Sequence, residues 1–210
     1  MQWRLLTPAE MADVYENQMR RDFPPEELKP LASILELMAR GDCRSFGVFD
    51  APESEAPAPL AALAAYLLVV KPVACRAALL DYFAVLPAWR AHGLGAQLMD
   101  GLRARMADTD GVLIESEWPA RAADPAMARR RLGFYARAGA QDTGWHNRAY
   151  GGYFNVLLLP CGPAAGQEAF GPFTADEAAG QLALCYRSML PGAAYRREFE
   201  LFRDGEQPRR

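Results

Sequence analysis

The sequence predicts an α/β (α+β) fold, with strands and amphipathic helices that alternate along one domain and an element appended at its end. Three observations predict this class. Short apolar segments fit strands, longer segments with apolar residues at helical spacing fit helices, and a glycine-containing turn joins a strand to a helix near the middle of the chain. With 210 residues, the chain is also long enough to bury a full hydrophobic core.

The order of the elements follows from these patterns and from residues that start or end helices. Thr7-Pro8 is typical of a helix start, and Gly41 is typical of a helix end. The patterns predict, in order, a strand at 2–6, helices at 7–20 and 26–40, strands at 45–49, 61–70 and 76–86, a helix at 93–106, a strand at 112–117, a helix at 124–138 and a strand at 150–159. Thr174 and Glu177 form a capping-box pattern, which predicts a last helix over 174–190.

The segment AVLPAWRAHGLGAQL, at 84–98, is the most informative part of the sequence. An apolar strand ends at Pro87, a tight turn carries Arg90, Gly93 and Gly95, and an amphipathic helix follows. The first N–H groups of a helix lack partners within it, and they lie at the positive end of the helix dipole. The guanidinium of an arginine also suits phosphate oxygens. The segment therefore predicts a site for an anionic, phosphorylated ligand.

Spacing excludes two other glycine-rich phosphate loops. A dinucleotide fingerprint needs a third glycine where Leu98 stands, and a P-loop needs Lys-Ser or Lys-Thr where Ala96-Gln97 stands. Two interpretations remain for Arg-x-x-Gly-x-Gly at this place. The glycines either expose amides to an anion or serve only the packing of a helix start.

A second segment, DPAMARRRLGFYARAGA at 124–140, has clear helix boundaries. Asp124 is a good N-cap, Pro125 fits the first helical position, and Gly139 fits the position just after a helix. The end of this helix carries the pattern Phe-Tyr-x-x-x-Gly, in which the tyrosine is Tyr135.

In this order, Arg-x-x-Gly-x-Gly and the downstream Phe-Tyr-x-x-x-Gly resemble the motifs of the GNAT superfamily of acyl-CoA-dependent N-acetyltransferases. The resemblance covers about residues 1–160, interpreted as the acetyltransferase domain. It implies the GNAT fold, a mixed and mostly antiparallel central sheet flanked by helices. Residues 161–210 are interpreted as a linker and an appended C-terminal helix that packs on the core or on a second subunit, which leaves a homodimer open.

The resemblance also implies a function and a cosubstrate. The chain is expected to transfer an acetyl group directly from acetyl-CoA to the primary amine of an acceptor that the motifs do not identify. The contacts to CoA are expected from the end of the motif strand and from the loop: Phe83, Ala84, Val85, Arg90, Ala91, His92, Gly93, Leu94, Gly95 and Ala96. A backbone amide near Val85 is expected to stabilise the oxyanion.

By the same resemblance, the Tyr135 hydroxyl lies near the CoA sulfur, where it would protonate or hydrogen-bond the leaving thiolate. A carboxylate is also needed to take a proton from the attacking amine. Glu115 and Glu117 share one face of a strand by period-two geometry, and Asp81 lies on the motif strand. Glu117 is preferred because it lies at the end of its strand. Core packing of Tyr135 and solvated strand-end carboxylates are the alternatives.

Composition narrows the function classes. A net charge of −3 gives no attraction to nucleic acid or to an anionic membrane. The four cysteines form no CxxC pair, no metal site is expected, and His146 is expected on a surface turn. The longest apolar run, at 57–70, is too short to span a bilayer, and no leader pattern opens the chain, so the cytoplasm is the expected location.

The rival function is an inactive acyl-CoA-binding sensor or interaction module.

Overall fold

The computed structural model describes residues 1–53, 56–90, 93–162, 173–190, 192–203 and 205–206. Its strands are β1 (Gln2–Leu5), β2 (Cys43–Phe49), β3 (Leu63–Val70), β4 (Ala77–Val85), β5 (Gly111–Glu117), β6 (Gln141–Ala149), β7 (Gly152–Pro160) and β8 (Phe199–Arg203). Its helices are α1 (Pro8–Val14), α2 (Arg20–Asp22), α3 (Leu31–Ala39), α4 (Leu94–Arg105), α5 (Pro125–Arg137), α6 (Ala175–Met189) and α7 (Gly192–Glu198), with a π-helical segment, Tyr15–Met19, between α1 and α2. The predicted α/β class is confirmed.

One compact unit comprises Met1–Lys71 and Leu80–Gly95. Its strands follow the order β1-β2-β3-β4, and β2 pairs antiparallel with both β1 and β3. Every residue of β3 is buried, so this strand forms the apolar centre of the unit. Helix α3 contacts both α1 and β2.

The other compact unit comprises Pro72–Leu79 and Ala96–Arg210. Its strands follow the order β5-β7-β6-β8, and each neighbouring pair is antiparallel. Helix α5 contacts β5, and α6 contacts β6 and β8. No helix in the described part of the chain combines the length and apolar character needed to cross a membrane.

The start of α1 is closed by a reciprocal cap. The Thr7 hydroxyl accepts a hydrogen bond from the Glu10 N–H at 3.2 Å, and the Glu10 carboxylate accepts one from the Thr7 N–H at 2.9 Å. Arg4 on β1 donates to both carboxylate oxygens of Glu10, at 2.9 and 2.6 Å. The bonds from Arg4 are the main reason that the pKa of Glu10 falls from 4.5 to about 2. The cap therefore fastens α1 to β1.

We expect Glu10→Gln to lower the free energy of unfolding by about 1–2 kcal/mol at pH 7. A carboxyl group with a depressed pKa in the folded state stabilises the fold above its unfolded pKa, and this contribution is lost as pH falls through the folded value. Urea unfolding should therefore show that the difference in unfolding free energy between the wild-type chain and Glu10→Gln shrinks as the pH falls from 4.5 to about 2. The control is Glu177→Gln in the capping box of α6. This variant should lose less stability, because Glu10 is the one that also forms an ion pair with Arg4. Equal losses of unfolding free energy in the two variants contradict the stabilising role of the Arg4–Glu10 ion pair.

The second predicted helix begins later than the sequence analysis expected. The expected start was residue 26, whereas α3 begins at Leu31, directly after Pro30. The residue before a proline is sterically pushed out of the helical region, so Lys29 cannot continue a helix into Pro30. Residues 24–28 form a turn instead, in which the Glu27 N–H donates to the Pro24 carbonyl at 3.1 Å.

Strand β6 was not predicted, and the expectation for His146 was wrong. This histidine lies within β6 at 4% exposure, and its ring stacks on Trp118 with centroids 4.3 Å apart. The strand pattern is hidden because Gly144 has φ of +70° and the pairing register shifts between Asp142 and His146. Such a bulge breaks the period-two alternation that predicts a strand.

The C-terminal segment contains more than the predicted helix. Helix α6 agrees closely with the prediction, including the capping box of Thr174 and Glu177. Beyond it lie α7 and β8, which were not predicted, and β8 pairs with β6 so that Phe202 is opposite His146. Most of the predicted linker after Cys161 lies outside the described residues.

Candidate functional site

The predicted phosphate loop follows β4 in the first unit. The last residues of the strand alternate between half-buried and buried: Phe83, Ala84 and Val85. A 3₁₀ turn, Pro87–Trp89, comes next, closed by a hydrogen bond of 2.9 Å from the Trp89 N–H to the Leu86 carbonyl. Proline has no N–H for a strand ladder, so the strand ends before it.

Gly93 stands directly before α4 with φ of +75°, in the left-handed region that favours glycine. Among the described residues other than its chain neighbours, a Cβ built there would meet no atom within 4 Å, so the space beside this backbone is open to that extent. Ala96 and Gln97 in the first turn of α4 are exposed. Because the first N–H groups of a helix lack partners within it, this end of α4 can bind an anion. Ala91 and His92, which also belong to the predicted loop, lie outside the described residues.

Arg90 is held by two neighbours along one edge of its guanidinium. Nε donates to the Val85 carbonyl at 2.8 Å, and Nη2 donates to the Asp22 carboxylate at 3.0 Å. The side chain is still 55% exposed. The sequence predicted a fixed cation at this position. The structure adds that Asp22 offsets the charge of Arg90.

In the second unit, α5 has the boundaries that the sequence predicted. The Asp124 carboxylate caps the helix by accepting hydrogen bonds from the N–H groups of Ala126 and Met127, at 3.0 and 2.9 Å. Pro125 occupies the first helical position, and Gly139 follows the helix with φ of +88°.

Tyr135, near the end of α5, is half-buried and packs edge-to-face on Phe134 with ring centroids 5.1 Å apart. Burial raises the pKa of its phenol to about 12, and the charge of Arg131 opposes part of this rise. Among the described residues, no hydrogen bond to the Tyr135 hydroxyl is found. The phenol therefore remains protonated at neutral pH, where it can donate to a ligand.

Glu115 and Glu117 on β5 are both half-buried and flank the buried Ser116, as the period-two prediction requires. Glu117 is the last residue of the strand, and its Oε2 lies 3.5 Å from Nη1 of Arg131 on α5. Arg131 lies one helical turn before Tyr135. Glu115 accepts a hydrogen bond from the Tyr186 hydroxyl on α6, whose oxygen lies 2.9 Å from each carboxylate oxygen.

Asn147 on β6 and Tyr186 on α6 are two neighbours of Glu115 that the sequence analysis missed. The Asn147 amide also donates a hydrogen bond to Glu115. Asn147 was missed because the bulge hides β6. Tyr186 was missed because the family motifs do not extend to α6, although the capping box of Thr174 and Glu177 predicted the helix itself.

Asp81 lies in the first unit, where Lys29 binds it. Lys29 Nζ lies 2.6 Å from Asp81 Oδ1, and the two side chains are 8% and 5% exposed. The neighbouring Tyr82 hydroxyl accepts a hydrogen bond from the Lys29 N–H and donates one to the Glu27 carbonyl, both at 2.8 Å. A buried ion pair needs both partners, because loss of one leaves an uncompensated charge. These contacts anchor the turn before α3 to β4.

Comparison with solved structures identifies the fold. A Bacteroides thetaiotaomicron protein described as a GNAT-family acetyltransferase is 19% identical, and the match covers 88% of this chain and 96% of that chain at a TM-score of 0.60. The Escherichia coli ribosomal-protein-S18-alanine N-acetyltransferase is 16% identical, with 80% and 98% covered at a TM-score of 0.54. The Vibrio cholerae spermidine N-acetyltransferase, in complex with CoA and spermine, is 13% identical, with 76% and 95% covered at a TM-score of 0.52.

At these identities, the comparison supports one conclusion, that the chain has the GNAT fold. No protein-family model and no curated protein matches the sequence. The resemblance that the two motifs suggested is therefore confirmed at the level of the fold.

Proposed function

We propose that this chain is an N-acetyltransferase that moves an acetyl group from acetyl-CoA directly to a primary amine. The observation that carries the proposal is the open backbone at Gly93, with left-handed φ at the start of α4, in a chain with the GNAT fold. The Vibrio cholerae neighbour is in complex with CoA and spermine, which supports an acyl-CoA donor and an amine acceptor. The four cysteines are buried thiols, which fits the cytoplasmic location expected from the sequence.

The proposed CoA contacts are backbone groups at the end of β4 and in the loop before α4. The N–H groups of Gly93, Leu94, Gly95 and Ala96 are assigned to the diphosphate, with Arg90 beside them. Phe83, Ala84 and Val85, and also Ala91 and His92, complete the proposed set. Thioester chemistry then requires a donor for the oxyanion, which we assign to the amide near Val85.

Tyr135 is the proposed hydrogen-bond donor to the departing thiolate. A simple thiol has a pKa of about 8.5, whereas the pKa of Tyr135 is raised to about 12. Full transfer of the phenolic proton to the thiolate is therefore unfavourable. The group is suited to stabilise the negative sulfur by donating a hydrogen bond while it keeps its proton.

Glu117 is the proposed base for the acceptor amine. Asp81 is the weakest of the three candidates, since it is nearly inaccessible and neutralises a buried lysine. Glu115 is engaged by the Tyr186 hydroxyl and the Asn147 amide. Glu117 is 31% exposed, and its neighbour Arg131 is one turn from Tyr135 on α5. This exposure lets an amine or a bridging water reach the Glu117 carboxylate.

We expect Glu117→Gln to lower kcat/KM at least about tenfold at pH 7, because the acceptor loses the group that takes its proton. The loss should shrink toward pH 9, where more of the amine is already neutral. Steady-state assays of thiol release across this pH range measure both effects. Glu115→Gln is the comparison variant. A larger loss in Glu115→Gln than in Glu117→Gln assigns the base to Glu115 instead.

The proposed function is tested with the full chain, acetyl-CoA and a panel of amines. The panel should contain polyamines, amino-acid derivatives, aminoglycosides and peptides with free N-termini, with thiol release and acetylated product measured together. Turnover of one acceptor class supports the enzyme. Tight CoA binding without thiol release on any acceptor supports the sensor or interaction module instead.

We also propose that residues 1–160 form the catalytic domain and that 161–210 form an extension packed on it. Within the second unit, α6 contacts β6 and β8, and Tyr186 bonds Glu115, which supports packing on the same copy of the chain. Size-exclusion chromatography with light scattering distinguishes a monomer from a homodimer.

A further inference from the structure

Asp22, the last residue of α2, connects separate parts of the first unit. Its Oδ2 accepts a hydrogen bond from the Tyr66 hydroxyl at 2.8 Å, and its Oδ1 accepts one from Arg90 Nη2 at 3.0 Å. Tyr66 lies on β3 and is completely buried, so its hydroxyl has a fixed position. Burial, and then the bond to Asp22, raise the pKa of the Tyr66 phenol, which therefore remains a donor.

Arg90 is the other end of this network. Its Nε donates to the carbonyl of Val85, the last residue of β4, at 2.8 Å. The Nε and Nη2 edge of the guanidinium is thus bound by the protein at two points. A guanidinium has five N–H groups in one plane, and among the described residues Nη1 and the second proton of Nη2 have no acceptor, so they are further donors. With 55% of the side chain exposed, a ligand can reach the guanidinium.

We propose that Asp22 and Tyr66 are positioning residues that hold Arg90 ready for the diphosphate of acetyl-CoA. The inference rests on the proposed function, because it takes that diphosphate as the ligand. A long arginine side chain has many rotamers when it is unconstrained. Ordering this side chain before the ligand arrives reduces the entropy that binding must remove.

The network also has a consequence for the kind of anion that it selects. Because Asp22 offsets part of the charge of Arg90, what the guanidinium binds depends more on directed hydrogen bonds than on net charge. A diphosphate has several oxygens that can accept these bonds together with bonds from the N–H groups of α4. A monovalent anion offers fewer acceptors and gains less from the same donors.

The test compares two acyl donors in Asp22→Ala. Acetyl-CoA carries the diphosphate, whereas S-acetylpantetheine has the same thioester without it. We expect the KM for acetyl-CoA and the Kd for CoA to rise about tenfold, with kcat unchanged and with an unchanged KM for S-acetylpantetheine. Tyr66→Phe should give a smaller rise in the same direction, because Asp22 then loses one of its two partners.

Asp13→Ala is the matched control. Asp13 is an exposed aspartate of α1 that bonds Asn17 at 3.1 Å, so its loss changes the charge equally without touching Arg90. Thermal unfolding of every variant verifies the fold. Unchanged or tighter CoA binding in Asp22→Ala overturns the positioning role. An equal rise in the KM for S-acetylpantetheine also overturns it, since that result indicates general damage.

The two proposals fail in different ways. If the wild-type chain binds CoA but releases no thiol, the acetyltransferase proposal is overturned, and the Kd values alone decide the role of Asp22. If the wild-type chain does not bind CoA, both proposals are overturned. Calorimetry on the wild-type chain therefore comes first.

Discussion

Replacing Gly93 by glutamate is expected to abolish CoA binding, with a loss in affinity greater than about a thousandfold, or about 4 kcal/mol. The substitution has two effects, one on stability and one on binding. A side chain at a φ of +75° costs roughly 1–2 kcal/mol of backbone strain. The new carboxylate would also occupy the open space before α4, where it competes with the diphosphate for the helix N–H groups and repels it. Isothermal titration with CoA measures the loss.

Gly41→Glu is an unusually close control for this variant. Gly41, which follows α3, also has φ of +75°, and a Cβ built there also meets no atom within 4 Å in the part of the chain that the structure describes. Both variants therefore carry the same strain and the same added charge, and both should lose similar stability. Only Gly93→Glu should lose the ability to bind CoA. If Gly93→Glu binds CoA within threefold of the wild-type affinity, the loop before α4 is not the diphosphate site.

The elements that the sequence predicted best are those whose ends carry residues with a specific backbone role. Asp124, Pro125 and Gly139 define α5 through local hydrogen bonds and a positive φ, none of which depends on the rest of the chain. The start of α4 was predictable for the same reason. Gly93 has a conformation that few other residues adopt, so its place in the motif is informative.

What the sequence did not reveal depends on contacts between distant residues. Strand β6 is polar and bulged, and it is stable because β7 and β8 pair with it on either side. The partners of Glu115 and Arg90 were missed for a related reason. Tyr186 is 71 residues from Glu115, and Asp22 is 68 residues from Arg90. Periodicity describes which face a residue occupies, but it carries no information about which distant side chain lies opposite.

Tyr135→Phe is expected to lower kcat about a hundredfold while the Kd for CoA changes less than threefold. The proposal gives the phenol no contact with the diphosphate, and its hydroxyl has no hydrogen-bond partner among the described residues, so stability should also be nearly unchanged. Proton transfer from a phenol with a pKa of about 12 to a thiolate would be uphill by roughly 5 kcal/mol. The lost rate therefore measures a hydrogen bond to the developing sulfur anion, and single-turnover kinetics with acetyl-CoA detect it directly.

The pH profile provides an independent check on this role of Tyr135. Because its pKa is raised to about 12, the phenol stays protonated throughout the range in which the chain can be assayed, and its ionisation should cause no loss of activity below about pH 11. Tyr195→Phe is the control, since Tyr195 contacts Phe199 through its ring, with centroids 5.4 Å apart, and should keep full activity. Wild-type activity that declines with an apparent pKa near 10, in a limb that Tyr135→Phe removes, contradicts the raised pKa of Tyr135, whereas a decline that Tyr135→Phe retains belongs to another group. Such a limb would show that the phenol ionises at its ordinary pKa and that burial does not keep it protonated.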